Sequence, residues 1–80
     1  MTLGQRIRLR RHQLGLTQYD LADMTGMAQN IISRLENGNT PNPGASVLLR
    51  LARALACSID WLVGLYDEEH STTLAGSASL

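Results

Sequence analysis

The sequence has little of what usually announces chemistry. Among 80 residues there are one cysteine, two prolines, one tryptophan, two tyrosines and no phenylalanine. With aromatics at 4%, a core has to be built from Leu, Ile, Val, Ala and Met. A single thiol, Cys57, excludes an intrachain disulfide and fits a reducing compartment. It reads as a small buried hydrophobe rather than a redox or metal group. His12 and His70 have no partners at ligand spacing, so no metal site is expected. There is no nucleophile–base pair and no phosphate loop, which argues against an enzyme and against any cofactor. No apolar run approaches membrane-spanning length, and the arginine-rich start has the pattern of a helix rather than a signal peptide. The expected class is a soluble, cytoplasmic protein without a membrane partner.

What is present is organised. Formal net charge is zero, but it is unevenly laid out. Residues 1–40 carry five arginines against three carboxylates, and residues 41–80 carry two against four. All seven basic residues are arginine, the side chain suited to bidentate contact with phosphate or guanine. An 80-residue chain is short for more than one domain and supports only a thin core.

Helix punctuation divides the chain. Thr2 and Gln5 have the spacing of a capping box. Leu3, Ile7 and Leu14 share a face, and Gly15 is the expected stop. Thr17 is an N-cap with Asp20 in the first turn, and Gly26 ends the second helix. A third helix follows Met27 and Ala28 and stops at Gly38. Residues 39–44 are dense in turn formers. Leu48, Leu51, Ala52 and Leu55 then form one face, with Arg50 and Arg53 outside. Ser58 caps a last short helix through Trp61 and Leu62 that ends near Gly64. The expected helices are 3–14, 18–25, 28–37, 45–56 and 59–64. With no strand and no internal repeat, the fold class is all-α, a five-helix bundle. Residues 1–66 make the domain. Residues 67–80, acidic and then small and polar, are an expected disordered tail.

The second and third helices carry a constellation. Crossing two short helices steeply through a tight turn requires a small residue at the contact, a residue tolerant of positive φ in the turn, and an apolar plug. Ala22, Gly26 and Ile32 meet these needs, and Leu21, Met27 and Leu35 fill the other inward places. That pattern is a helix-turn-helix. On the third helix, Ala28, Ile31, Ile32 and Leu35 share one side. Gln29, Asn30, Ser33 and Asn37 lie on the other, beside Arg34. Two readings of that outer face stand: an ordinary solvated surface, or an amide-rich face matched to adenine N6 and N7. Likewise Arg6, Arg8 and Arg10 are either solubilising charges or phosphate contacts. Trp61, Leu62, Leu65 and Tyr66 are either core or a dimer contact, with Leu65 and Tyr66 left over from the core.

These segments together resemble the Cro/phage-repressor, or XRE, type of helix-turn-helix domain. The marks are Arg-Ile-Arg at 6–8, Leu-Gly-Leu-Thr-Gln at 14–18, Leu-Ala at 21–22, Ile-Ser-Arg-Leu-Glu-Asn-Gly at 32–38, Leu-Ala-Arg-Ala-Leu at 51–55 and Ser-Ile-Asp-Trp-Leu at 58–62. They cover residues 3–65. The resemblance implies a sequence-specific DNA-binding transcriptional regulator, a repressor, that places its third helix in the major groove. It implies base reading by Gln29 and Asn30, with Ser33 and Arg34 secondary. It implies backbone contacts by Gln18, Asn37 and Asn39, to which Arg8 and Arg10 are added as phosphate candidates. Arg11 and Glu36 match a partly buried structural ion pair. Trp61, Leu65 and Tyr66 are the candidate interface of a homodimer on a palindromic operator of double-stranded DNA. A second reading is an antitoxin or protein-interaction module whose main partner is another protein, for which Asp67-Glu68-Glu69 and the tail are available. Three positions depart from the pattern: Ala28 stands at the usual Ser/Thr cap, Arg10 where leucine is common, and Ala56 where glycine is usual.

Overall fold

The computed structural model describes residues 1–40 and 42–65. They form α1 (Leu3–Gln13), α2 (Gln18–Thr25), α3 (Gln29–Glu36), α4 (Ala45–Ala54) and α5 (Ile59–Leu62), with no strand among the described residues. The expected five-helix, all-α architecture is present. The candidate interface residue Tyr66, His70 and the whole tail lie outside the described residues.

Four helices are shorter than expected, and their caps give the reason. After α4, the Ala56 N–H donates to the Arg53 carbonyl at 3.2 Å and the Cys57 N–H to the Ala52 carbonyl at 3.0 Å. This crossed pair closes the last turn through a residue in the left-handed region, here Ala56 at φ 52°. The same crossed pair closes α1 around Gly15, α3 around Gly38 and α5 around Gly64. The residue before each reversal is therefore a cap. Leu14 is one such cap. It was expected on the apolar face of α1, but it is 39% exposed.

The starts are equally specific. Thr2 and Gln5 form the expected capping box. Thr17 forms a second one: its hydroxyl accepts the Asp20 N–H at 3.0 Å, and Asp20 accepts the Thr17 N–H at 2.9 Å. These bonds to the Thr17 backbone and hydroxyl hold the Asp20 carboxyl below its ordinary range. Ala28, at the start of α3, is extended and supplies no side-chain bond, which costs about 1 kcal/mol relative to serine. As the N-cap, it is also exposed rather than part of the inward face.

Packing follows the apolar stripes. α3 lies against α1 and α2, α4 packs on α2 and α5, and α5 closes on α1. Among the described residues six apolar side chains are fully buried: Ile7, Leu21, Ile32, Leu51, Leu55 and Leu62. Ala22, Leu35, Ala52 and Trp61 complete the core, with Met27, Ile31 and Leu48 at its edge. Gly26 takes φ 72°, and the Met27 N–H donates back to the Ala22 carbonyl at 3.0 Å. The chain thus turns from α2 into α3 within a few residues, as the sequence pattern requires.

The approach of α1 to α3 rests on Gly4. A Cβ built there would lie 2.5 Å from the Leu35 carbonyl oxygen and 2.8 Å from the Glu36 carbonyl carbon. Real Cβ atoms do not come that close to backbone, so glycine sets how near α1 sits to the end of α3.

Candidate nucleic-acid interface

α3 is eight residues long and has two unlike sides. Ile32, Leu35 and Glu36 are buried. Asn30 and Arg34 are exposed, Gln29 and Ser33 are half-buried beside them, and Asn37 and Asn39 are exposed just beyond the helix. The amide-rich face expected from the sequence is therefore gathered on one side of α3. Its backing is the crossing with α2, where Leu21, Ala22 and Ile32 interlock.

Beneath that face sits one buried carboxylate. Glu36 is 4% exposed. Its Oε2 accepts from Arg11 Nε at 2.6 Å and its Oε1 from Arg11 Nη2 at 2.9 Å. This two-pronged, charge-assisted geometry is the strong form of an ion pair. Oε1 also accepts from Gln18 Nε2 at 3.2 Å and from Arg8 Nε at 3.3 Å. Burial works against the charged form of Glu36. The hydrogen bonds from Arg11, Gln18 and Arg8, with the charge of Arg11, outweigh it and hold the carboxyl below its ordinary value. Arg11 is pushed the other way, because its bond to Glu36 outweighs its own desolvation. Arg11 Nη1 also donates to the Leu16 carbonyl at 2.9 Å, which fixes the α1–α2 turn to the same pair. The Arg11–Glu36 ion pair that the resemblance implies is thus formed.

Two arms run outward from Glu36. In one, Gln18 Oε1 accepts from Gln29 Nε2 at 2.8 Å, so α2 and α3 are joined by a side-chain amide pair. In the other, Arg8 Nη2 donates to Asn37 Oδ1 at 3.2 Å. Four of the residues singled out from the sequence, Gln18, Gln29, Arg8 and Asn37, are brought together in this way.

The family comparison bears on the same segment. A model described as "Helix-turn-helix" matches residues 7–62. The chain belongs to the helix-turn-helix family. A curated relative, repressor protein C2 of Salmonella phage P22, is 41% identical over 61 residues, 76% of this chain and 28% of that protein. The P22 c2 repressor solved in complex with a synthetic operator matches with a TM-score of 0.75 at 39% identity, covering 80% of this chain and 96% of that one. SinR in its complex with SinI matches with a TM-score of 0.75 at 25% identity, covering 96% of this chain and 79% of that one. The helix-turn-helix type is thus that of phage repressors and related regulators. The chain spans between 28% and 64% of the length of four curated relatives it matches.

Three expectations need correcting. Trp61 is not a surface residue for dimer contact: it is 5% exposed and packed in the core. The Arg6 guanidinium lies 5.2 Å from its ring centroid, close enough for a cation–π interaction. Arg6 is therefore buried, neither a solubilising charge nor an outward phosphate contact. Arg10 reaches away from α3. Its Nε donates to the Leu55 carbonyl at 2.8 Å and its Nη2 to the Ala56 carbonyl at 3.4 Å, so its head caps the end of α4, where carbonyls lack helical partners. Leu65 does remain on the surface, 68% exposed.

Gly4 carries no signal in the capping pattern of Thr2 and Gln5, although a glycine inside a helix signals close approach. At the end of α2 the sequence pattern leaves Met24 and Thr25 as alternatives for the inward place; the structure buries Thr25, its hydroxyl donating to the Leu21 carbonyl at 2.7 Å, and exposes Met24. Cys57 is half-buried, and burial pushes its thiol above the ordinary range. No described helix is long and apolar enough to cross a membrane.

Proposed function

We propose that this chain is a sequence-specific DNA-binding regulator, a repressor, that reads the major groove with α3. The carrying observation is the exposed amide face of α3, held from beneath by the Gln18–Gln29 bond and the buried Glu36. An ordinary solvated face needs no such bracing. Gln29 and Asn30 choose bases, Ser33 and Arg34 add to the readout, and Gln18, Asn37, Asn39 and Arg8 hold the phosphate backbone. Phosphate contacts set register while base contacts set sequence. The similarity to a P22 repressor solved with a synthetic operator supports this reading. So does the set of relatives, named as repressors and transcriptional regulators rather than enzymes. The reading places the chain in the cytoplasm as a non-enzyme.

In this reading the chain binds a palindromic operator as a homodimer, with its two α3 helices entering successive major grooves about 34 Å apart. Val63 and Leu65, exposed after α5, supply apolar surface for pairing. Selection of binding sites from a random duplex pool, at near-physiological salt, tests this. A symmetric motif with half-sites one helical turn apart is expected. A protein-partner role is the second reading, favoured by the match to SinR in its complex with SinI. A pool that enriches no motif, together with a stable complex with a second protein, would replace the first reading by the second.

A further inference from the structure

We infer that Asn37 and Gly38 form a self-modifying site: the Asn37 side-chain amide, held by the Arg8 guanidinium, is displaced by the Gly38 main-chain nitrogen, and the carboxylate left behind ends operator binding. The chemistry needs only this chain and water. Its effect on binding rests on the reading that Asn37 and Arg8 face the phosphate backbone.

An asparagine loses its side-chain amide when the main-chain nitrogen of the next residue attacks Cγ, so the following residue decides which asparagine reacts. The chain has four asparagines. Pro43 follows Asn42 and has no N–H to give. Ile31 and Thr40 follow Asn30 and Asn39, and a branched Cβ stiffens and crowds the attacking residue. Only Asn37 is followed by glycine. The fold adds to this selection. Asn37 is exposed and caps α3, beyond its last helical residue. A Cβ built on Gly38 would meet nothing within 4 Å, so a cyclic product has room and water has access. The Gly38 N–H donates to the Leu35 carbonyl at 3.3 Å, a longer bond than the 2.9 Å from the Asn39 N–H to the Arg34 carbonyl. Fraying of this last turn frees the nucleophile. The electrophile is prepared as well. Arg8 Nη2 donates to Asn37 Oδ1 at 3.2 Å, the oxygen on which negative charge grows as Cγ is attacked. A cationic donor already aimed at such an oxygen lowers the barrier.

In the first step the Gly38 nitrogen gives its proton to solvent and bonds to Asn37 Cγ. The Cγ–Nδ2 bond breaks, and Nδ2 takes up a proton and leaves as ammonia. Water then opens the cyclic imide. Attack at Cγ releases the Gly38 nitrogen and leaves aspartate at 37. Attack at the Asn37 main-chain carbonyl carbon leaves isoaspartate, with the chain running through Cγ. The sum is amide plus water giving carboxylate plus ammonia, with nothing oxidised or reduced. A carboxylate at 37 acts twice: it claims Arg8, and it repels phosphate directly. Isoaspartate also lengthens the main chain and displaces Asn39. The Arg11–Glu36 pair and the apolar core are not part of this end of α3, so the domain stays folded while operator affinity lapses with the age of the chain.

The test uses the full chain, freshly purified and then held in warm, mildly alkaline buffer. Peptide mass spectrometry follows the amide at each asparagine, and enzymatic methylation of isoaspartate reads the second product. Affinity for the duplex enriched by site selection is measured on the same samples, with circular dichroism as the check on folding. Asn37 is expected to convert well ahead of Asn30, Asn39 and Asn42, giving both products, while the helical signal holds. An Asn37 amide that persists, or that is lost no faster than the other three, overturns the site. Arg8→Met removes the cationic donor, and Arg11 still holds Glu36 in that variant, so it is expected to fold. Its conversion should be slower than that of the unchanged protein under native conditions and equal to it in denaturing urea. Equal native rates overturn the activation by Arg8. Operator affinity should fall in step with conversion, and Asn37→Asp made directly should bind about tenfold more weakly. Conversion with full retention of affinity overturns the loss of binding. Fresh protein that enriches no duplex refutes the DNA-binding reading and with it the loss of operator binding, while the amide chemistry is still decided by mass.

Discussion

Between Thr17 and Asn37 the side chains of Gln18, Gln29 and Glu36 form one hydrogen-bonded chain ending on a buried carboxylate, whereas between Gly44 and Leu65 the buried residues are apolar. Two arginines tie that second region to α1: Arg10, reaching across to the carbonyls that end α4, and Arg6, set over the Trp61 ring. The first region has glycine at each reversal, Gly26 and Gly38. The second has alanine at one, Ala56 at φ 52°. Trp61 Nε1 is buried there with no acceptor among the described residues. The contrast shows what each region is built for. Aiming a short helix requires fixed directions, and hydrogen bonds supply direction. Covering the helices that carry it, α1 and α2, requires only burial, which is non-directional and tolerates less-than-ideal local choices.

The comparison breaks most readily at Glu36. Replacing Glu36 with alanine leaves Arg11 buried without its partner and is expected to cost about 3–5 kcal/mol. Against the stability of about 5–15 kcal/mol usual for a small domain, that is a large share. Urea denaturation of Glu36→Ala should show little folded protein at room temperature. Acid is expected to do the same thing gradually. The Glu36 carboxyl is held below its ordinary value near 4.5 in the folded state. Its stabilisation is therefore complete above that value and is lost as pH falls through the depressed one. Stability measured from pH 7 down to pH 3 should fall below about pH 4.5, and the fall should be shallower in Glu36→Gln.

Next in size is Gly4→Ala. Its methyl meets the Leu35 and Glu36 carbonyls, so α1 must shift off α3, with an expected loss of about 1–3 kcal/mol. Thermal unfolding checks this. A neutral result would mean that α1 slides without cost and that the first region is less tightly specified than its hydrogen bonds suggest. The smallest effect has the opposite sign and belongs to the second region. An L-residue in the left-handed region costs about 1–2 kcal/mol, and the extra chain entropy of glycine offsets about half of that. Ala56→Gly is thus expected to raise stability by about 0.5–1 kcal/mol, read as a higher urea midpoint with operator affinity unchanged. A loss of stability at position 56 would show that Arg10 depends on the alanine geometry.

Sequence pattern carried the architecture because its signals are local. Thr17, Gly26 and Gly38 act on their own turns, and Leu21, Ala22 and Ile32 declare the helix crossing by spacing alone. The expected bounds of α2 match the structure for that reason, while those of α1, α3, α4 and α5 run long, since a cap looks like one more helical residue. The site was legible as a face but not as a network. Nothing in the spacing of Arg8, Gln18 and Glu36 says that three separate elements meet at one oxygen. Arg6 and Arg10 are less legible. The leucine-like place of Arg10 predicts a stem over the core and a head pointing outward, and residue type suggests solvent or phosphate for Arg6. Their heads then find an indole ring and a helix end.

The Gln18–Gln29 bond has a consequence for how such a protein diverges. The two residues lie eleven positions apart and on different helices, but their side-chain amides are joined by a hydrogen bond. Asn30 and Arg34, exposed and outside this network, are free to be rewritten one at a time. Positions 18 and 29 are expected to change in step, so pairwise covariation among descendants of this chain should single them out. New operator preferences should then arise first at 30 and 34.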